Sequence, residues 1–306
     1  MPPGGRAHRR GRITMNVKLL SATAAALAVA GVVAGSAAAY ATVSGDGGNR
    51  IGTVRANGKA SVKQGGLSAT WVEEAGDVKQ VVLTGNRIGV LKGNGDAFVK
   101  EGGLSATWVK EATDVKQLAL SGNRIGVLKD TGEAFVKEGG LSATWVKEAD
   151  KVKQLELSGR RIGVVRGNGD AYVKEGGLSA TWVKEAGNVV DIDLAGNRIG
   201  VFKGNGEAFV KEGGLSATWV KEADDVIQLE LSGNRIGVLK DDGDAFVKEG
   251  GLSATWVKES DKTTQIALSG KRIGVLKGNG NAYVKEGGLS AAWVLEATNV
   301  TELAFS

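Results

Sequence analysis

The chain of 306 residues has no cysteine, and its one histidine, two methionines and two prolines are His8, Met1, Met15, Pro2 and Pro3, all close to the N-terminus. Without cysteine there is no disulfide and no thiol nucleophile. Without a later histidine there is no Ser-His-Asp triad, no imidazole zinc site and no histidine general base. An exported domain built from the remainder must be held by its core and topology. A helical period is missing as well: no segment after residue 41 sustains a repeat of 3.6 residues, so no helix is expected there. A charge excess is also lacking. The formal net charge of +5 belongs to Arg6, Arg9, Arg10, Arg12 and Lys18, and the rest of the chain carries 34 basic and 34 acidic residues. A neutral body has no electrostatic footprint for phosphate backbones, which argues against nucleic acid as a partner.

The N-terminal segment reads as an export signal. Basic residues precede an uncharged run from Leu19 to Ala41, rich in alanine and valine, that ends in the small-residue pattern Ala39-Tyr40-Ala41. Cleavage is expected after Ala41, with cleavage after Ala39 as the alternative. Arg9-Arg10 gives a weak twin-arginine match, and Met15 serves equally well as the start of an ordinary signal. The competing reading is an uncleaved membrane anchor, since the run is long enough to span a bilayer. Its alanines, glycines and serines make it only mildly apolar, so secretion without stable membrane insertion is the expectation. Residues 42–47 form a short linker.

What is present is a repeat. Trp71, Trp108, Trp145, Trp182, Trp219, Trp256 and Trp293 follow one another at intervals of 37 residues without insertion. The copies are 48–84, 85–121, 122–158, 159–195, 196–232, 233–269 and 270–306. In the second copy, Arg87 to Lys92 is a β-rich run, and Gly93-Asn94-Gly95 supplies the positive-φ residues of a hairpin. Ala97 to Lys100 returns, Thr107 to Glu111 is a third strand, and Val115 to Leu120 a fourth. Both faces of the middle strands are apolar, so sheets must stack on each side.

Four antiparallel strands in 37 residues is the size of a propeller blade. The fold class is therefore all-β, a seven-bladed β-propeller over residues 48–306; an open β-solenoid is the rival, with shorter rungs and distinct caps. The chain enters at the strand Arg50 to Val54 and ends with the fourth-strand sequence Val300 to Phe305. That last strand is expected to join the first three strands of copy one and latch the ring.

The fourth-strand pattern Val115 to Leu120, the run Arg124-Ile125-Gly126-Val127-Leu128, the glycine hairpin, Phe135-Val136-Lys137-Glu138-Gly139 and the closing Trp145 resemble the tectonin and tachylectin-like β-propeller lectins. They are more similar still to bacterial seven-bladed lectins of the Photorhabdus type and to repeats of secreted actinobacterial proteins. The resemblance covers residues 48–306. It implies several equivalent sugar pockets between neighbouring blades, and glycans or glycoconjugates as partners.

The residues themselves permit such pockets. One face of the ring would carry the varied hairpins, such as Ala56 to Lys59 and Asp241 to Asp244, with links such as Ala112 to Asp114. The other would carry the near-constant loop Glu101 to Ala106. On that constant face the candidate sugar-binding groups are Arg87, Lys100, Glu101 and Trp108, with Arg124, Lys137, Glu138, Trp145, Arg161, Lys174, Glu175 and Trp182 in the next two copies. The remaining copies supply Arg198, Lys211, Glu212, Trp219, Arg235, Lys248, Glu249, Trp256, Arg272, Lys285, Glu286 and Trp293. A Trp plane packs on a pyranose C–H face while charged groups bond its hydroxyls. The plainer reading makes each Trp an inter-blade wedge and the charged residues structural ion pairs; between the two, the Lys-Glu-Gly-Gly segment is the better candidate for direct contact with ligand than the Trp.

Gly-Asn-Gly-Asp lacks the spaced acids of a calcium loop and reads as a turn, so no metal or cofactor is expected. Paired carboxylates for glycoside hydrolysis exist, but near-equal copies offer no distinctive site, and no enzyme is expected. Copy one departs from the rest, with Ser61 for an aromatic, Gln64 for Glu, Thr53 for Val and Arg55 for Lys92, and its pocket is expected to be the poorest. The functional expectation is a secreted, multivalent carbohydrate-binding protein. The alternative is an extracellular or cell-envelope scaffold whose ring binds protein.

Overall fold

The computed structural model describes residues 49–306, so the leader, its cleavage and the linker lie outside the described residues. Twenty-eight strands, β1 to β28 in chain order, form seven four-stranded antiparallel sheets arranged as the blades of a propeller. Sheet and repeat are out of phase. β4 (Val78–Thr84), the fourth strand of copy one, pairs with β5 (Arg87–Lys92), which pairs with β6 (Ala97–Glu101) and then β7 (Val109–Ala112). Each blade is thus stitched from two copies, which prevents any copy from detaching alone.

The offset leaves the first blade short of one strand, and the C-terminus supplies it. β28 (Val300–Phe305) pairs antiparallel with β1 (Arg50–Arg55), next to β2 (Ala60–Gln64) and β3 (Val72–Ala75). The expected latch is therefore present. The third strand is displaced from its expected span: Thr107 and Trp108 lie in the preceding loop, and β7 begins at Val109.

Burial explains the stacking. β5 has the pattern buried at five consecutive positions, as a strand covered on both faces requires. Its Gly89 makes the close approach possible: an added Cβ would stand 2.7 Å from Leu118 Cδ2 of the next blade. The apolar core is accordingly divided among the inter-blade interfaces. One such cluster joins Val54, Ala60 and Val62 of the composite blade to Leu83, Ile88 and Val90 of its neighbour, with Phe98, Leu104 and Trp108 packed against it.

The fourth-strand sequences line the axis, where their inner edges have no strand partner among the described residues. β4 and its equivalents β8 (Val115–Ser121), β12 (Val152–Ser158), β16 (Val189–Ala195), β20 (Val226–Ser232), β24 (Thr263–Leu268) and β28 contact one another in cyclic order. Polar side chains of one inner strand satisfy the backbone of the next. Gln80 Oε1 accepts from the Leu118 amide at 3.0 Å, and its Nε2 donates to the Leu118 carbonyl at 3.2 Å. The same two-bond clasp joins Gln117 to Leu155 and Gln154 to Ile192. It recurs from Gln228 to Ile266 and from Gln265 to Leu303. At the seam Glu302 accepts from Val81 N–H at 3.1 Å.

Candidate functional site

The repeated charged residues fall into two groups that the sequence had placed together. Lys100 is 1% exposed; its ammonium donates to Glu74 of the preceding blade and to the Leu104 carbonyl, and stands 4.9 Å from the Trp108 ring centroid. Lys137, Lys174, Lys211, Lys248 and Lys285 are equally enclosed, paired in turn with Glu111, Glu148, Glu185, Glu222 and Glu259. Carboxylate, carbonyl and aromatic face together replace the water an ammonium loses on burial. No donor is left for a ligand, so the lysines expected to touch sugar are inter-blade staples.

The arginines are a second set of staples. Arg87 is 2% exposed; it bonds Glu101 within its own blade through Nε at 3.1 Å and Nη2 at 3.0 Å, and reaches the Gly139 carbonyl in the loop of the next blade at 2.5 Å. Gly139 has φ +124°, a backbone conformation that glycine adopts without strain and that occurs in this loop of every blade. Arg124, Arg161, Arg198 and Arg235 repeat the arrangement, and Arg272 carries it across the seam to Gly65. In the composite blade Gln64 takes the place of Glu, at 3.3 Å from Arg50.

Two of the four candidate sets therefore face inward, and two reach solvent. Glu101 and Glu138 keep side chains 38% exposed, with Glu175, Glu212, Glu249 and Glu286 in the same setting. Trp108, Trp145, Trp182, Trp219, Trp256 and Trp293 are half-buried, each packed on an inter-blade cluster. They act as wedges, as the plainer reading had it, while one edge remains accessible.

That edge forms a wall of clefts on the flank of the ring. A cleft of about 460 Å³ lies between Lys110, Glu111, Ala112 and Thr113 of one blade and Val127, Lys129, Phe135 and Trp145 of the next. An equivalent cleft of about 450 Å³ is walled by Tyr283 and Trp293 on one side and Lys258 to Asp261 on the other. Such volumes suit a small ligand or one side chain of a larger one. Lys129 Nζ crosses the opening to the Thr113 carbonyl at 2.5 Å, toward the hairpin face. The cleft thus runs away from the constant loops on which the sequence had centred the site. Phe135, Lys129 and Thr113 were missed there; their signal was a cation followed across the hairpin by an aromatic in every copy but the first.

The outer rim carries a further repeated feature. Among the described residues each third strand is an unpaired sheet edge, and each exposes a valine, from Val72 at 38% to Val294 at 40%. Beside it an ion pair links hairpin to rim: Lys110 to Asp96 at 2.8 Å, Lys184 to Asp170 at 2.8 Å. In copy one the signs are exchanged, with Lys59 on the hairpin and Glu73 on the rim at 3.0 Å. In copy seven both positions are uncharged, Asn281 and Leu295.

No family model and no curated protein matches the sequence. The fold is similar to several solved structures. PorZ, an essential bacterial surface component of the type-IX secretion system of Porphyromonas gingivalis, aligns at 10% identity and a TM-score of 0.61, covering 83% of this chain and 38% of its own. Hsv2p of Kluyveromyces lactis aligns at 15% identity and TM-score 0.56, over 83% of this chain and 94% of its own. Prp20p of Saccharomyces cerevisiae, which binds Gsp1p and histones, aligns at 12% identity and TM-score 0.54, over 67% and 71%. At these identities the likeness is one of fold.

Proposed function

We propose that the chain is an exported, non-catalytic interaction platform that engages a protein partner through the perimeter of the ring. The observation that carries this reading is the set of seven short edge strands, β3 and β7 among them, each with an unpaired backbone and an exposed valine. An extended segment of a partner can add to such an edge through main-chain hydrogen bonds, with the valine and the neighbouring cleft taking its side chains. Protein binding by a propeller of similar fold, Prp20p, is in keeping with it. Seven weak contacts on one rigid ring would combine through effective concentration. A peptide library displayed on phage and selected on the secreted ring tests this. Recovered peptides should bind the native ring and not a variant with lysine at all seven rim valines, since edge charges oppose strand addition. Equal binding to both would remove the rim from the site.

A second reading is favoured by the clefts. Trp145 with Phe135, and Trp293 with Tyr283, present aromatic walls beside polar groups, which suits a sugar ring. Saturable, sugar-competed binding on a glycan array would establish this lectin reading, and an empty array would end it.

A further inference from the structure

Every inner strand begins with a β-bulge. The pairing of β4 with β5 skips Lys79, and the same skip falls at Lys116, Lys153, Val190, Ile227, Thr264 and, at the seam, Thr301. A bulged residue is left out of the ladder and its side chain is re-aimed. In each inner strand it is the one exposed position among buried neighbours. The residue before it donates its amide to a hairpin glycine, Val78 to Gly58 at 2.8 Å and Val115 to Gly95 at 2.9 Å among them, which sets the bulges on the hairpin face. Seven exposed side chains thus ring the mouth of the axis.

Their chemistry is segregated around that mouth. Lys79, Lys116 and Lys153 stand on successive blades, and each ammonium reaches the carbonyl that precedes the next bulged residue. Lys79 lies 3.5 Å from the Val115 carbonyl, Lys116 3.3 Å from that of Val152 and Lys153 2.8 Å from that of Val189. The arc is therefore continuous, and it ends beside Val190. Among the described residues no carboxylate forms an ion pair with any of the three, Asp77 and Asp114 two residues upstream included. Each ammonium has three donors and keeps some to spare. Val190 and Ile227 come next, 42% and 41% exposed. Lysine or threonine fills the same position in the other five blades, so the fold does not call for an aliphatic there.

We propose that this mouth docks one acidic segment of a protein partner, its carboxylates on the lysine arc and an adjoining apolar side chain on Val190 and Ile227. Three uncompensated cations on neighbouring blades repel one another until an anion settles among them, and the apolar pair fixes which way the segment runs. An anionic membrane offers the same sign of charge, but as a flat sheet it also meets the surrounding hairpins. Those carry Asp96, Asp130, Glu133, Asp170, Glu207 and Asp241, which oppose it, whereas a narrow chain need not meet them. The arrangement breaks the sevenfold repeat, so the site occurs once per ring. It is independent of the rim and of the clefts.

Isothermal titration of the secreted ring tests it with a peptide of three glutamates followed by two leucines, the same peptide with lysines for the glutamates, and phosphatidylserine vesicles. The acidic peptide should bind at one per ring, at least about tenfold more tightly than the lysine peptide, and more weakly as salt rises. Lys79→Gln with Lys116→Gln and Lys153→Gln should lose at least about tenfold in affinity. Val190→Thr with Ile227→Thr, the residue that Thr264 and Thr301 already supply, should lose at least about threefold. All five positions are exposed, so both variants should melt close to the native ring. The ring with lysine at its rim valines should still bind the acidic peptide, which separates failure here from failure of the rim. A stoichiometry of seven, tighter binding of vesicles than of the peptide, equal binding of the lysine peptide, unchanged affinity in either variant, or no binding of the acidic peptide would each overturn the proposal.

Discussion

Lys63 and Glu296, 233 residues apart in the chain, form a buried ion pair that crosses the seam between the last blade and the composite first blade. Their side chains are 1% and 3% exposed, so neither has water to fall back on. Removing one partner of a buried pair typically costs about 3–5 kcal/mol, whereas an apolar pair of similar volume can be neutral. Glu296→Gln should therefore destabilise the ring by about that amount, and Lys63→Met with Glu296→Leu should recover most of it. Chemical denaturation of the three proteins measures this; equal stability of the single and double variants would show that the pair is not the origin of the loss.

Closure by β28 should matter more than any one contact. Val300, Leu303, Ala304 and Phe305 are all buried, and without them the inner edge of β1 is open. Deleting Val300 to Ser306 should lower the melting temperature by at least about 10 °C, from the loss of three large apolar side chains alone. A melting curve within a few degrees of the native one would mean that the ring does not depend on its latch.

Seven copies of equal length made the architecture legible, since each carries four strand-length runs and the excess fourth strand at one end answers a deficit at the other. The site was far less legible. Lys100 looks like a surface lysine beside a glycine loop, because its partner Glu74 lies 26 residues upstream on another blade. Only the out-of-phase stitching of sheets brings the two together. The same holds for Arg87, whose acceptor Gly139 lies 52 residues ahead. The glutamines of the inner strands carried a readable signal, a polar residue at a fixed place in an apolar strand. Its meaning depends on an unpaired backbone edge at the axis, which no linear pattern displays.

The exchanged charges of copy one give a small but clean test. Lys59 and Glu73 are about half exposed, so their pair is worth roughly 0.2–1 kcal/mol. Lys59→Asp opposes two acids and should destabilise by that order; adding Glu73→Lys restores the arrangement of Asp96 with Lys110 and should return the stability. Raising the salt concentration should shrink both effects. If the double variant is no more stable than the single, the exchange is not a compensation.

Acids on the inner strands should make the ring less stable as pH rises. Burial pushes the Asp191 carboxyl up to about 7, against the stabilising influence of the Gln154 amide, the Ile192 backbone and Lys153. Burial also holds Asp193 and Glu230 well above their ordinary values, reinforced by the charge of Asp191 at Asp193 and by those of Asp193, Glu156 and Asp191 at Glu230, and burial does the same to Glu302. A folded-state pKa above the unfolded value means that the native ring binds the proton more tightly. For Asp191 there is no penalty below about pH 4, a growing one between pH 4 and 7, and a constant one of roughly 4 kcal/mol above that. The half-buried Asp96, whose pKa is lowered chiefly by its hydrogen bond to Lys110, acts oppositely and only toward acid pH. Asp191 is also one methylene shorter than the Gln at this place in five other inner strands. Asp191→Gln removes the titrating carboxyl and gives position 191 the side chain that, by the spacing of the clasp from Gln154 to Ile192, reaches Leu229 of the next inner strand. Melting temperatures from pH 4.5 to 8 should fall for the native ring and fall less steeply for this variant, which should be the more stable of the two at pH 8. Parallel curves would show that Asp191 does not titrate in this window, and a less stable variant at pH 8 would show that its carboxylate is accommodated in the charged form.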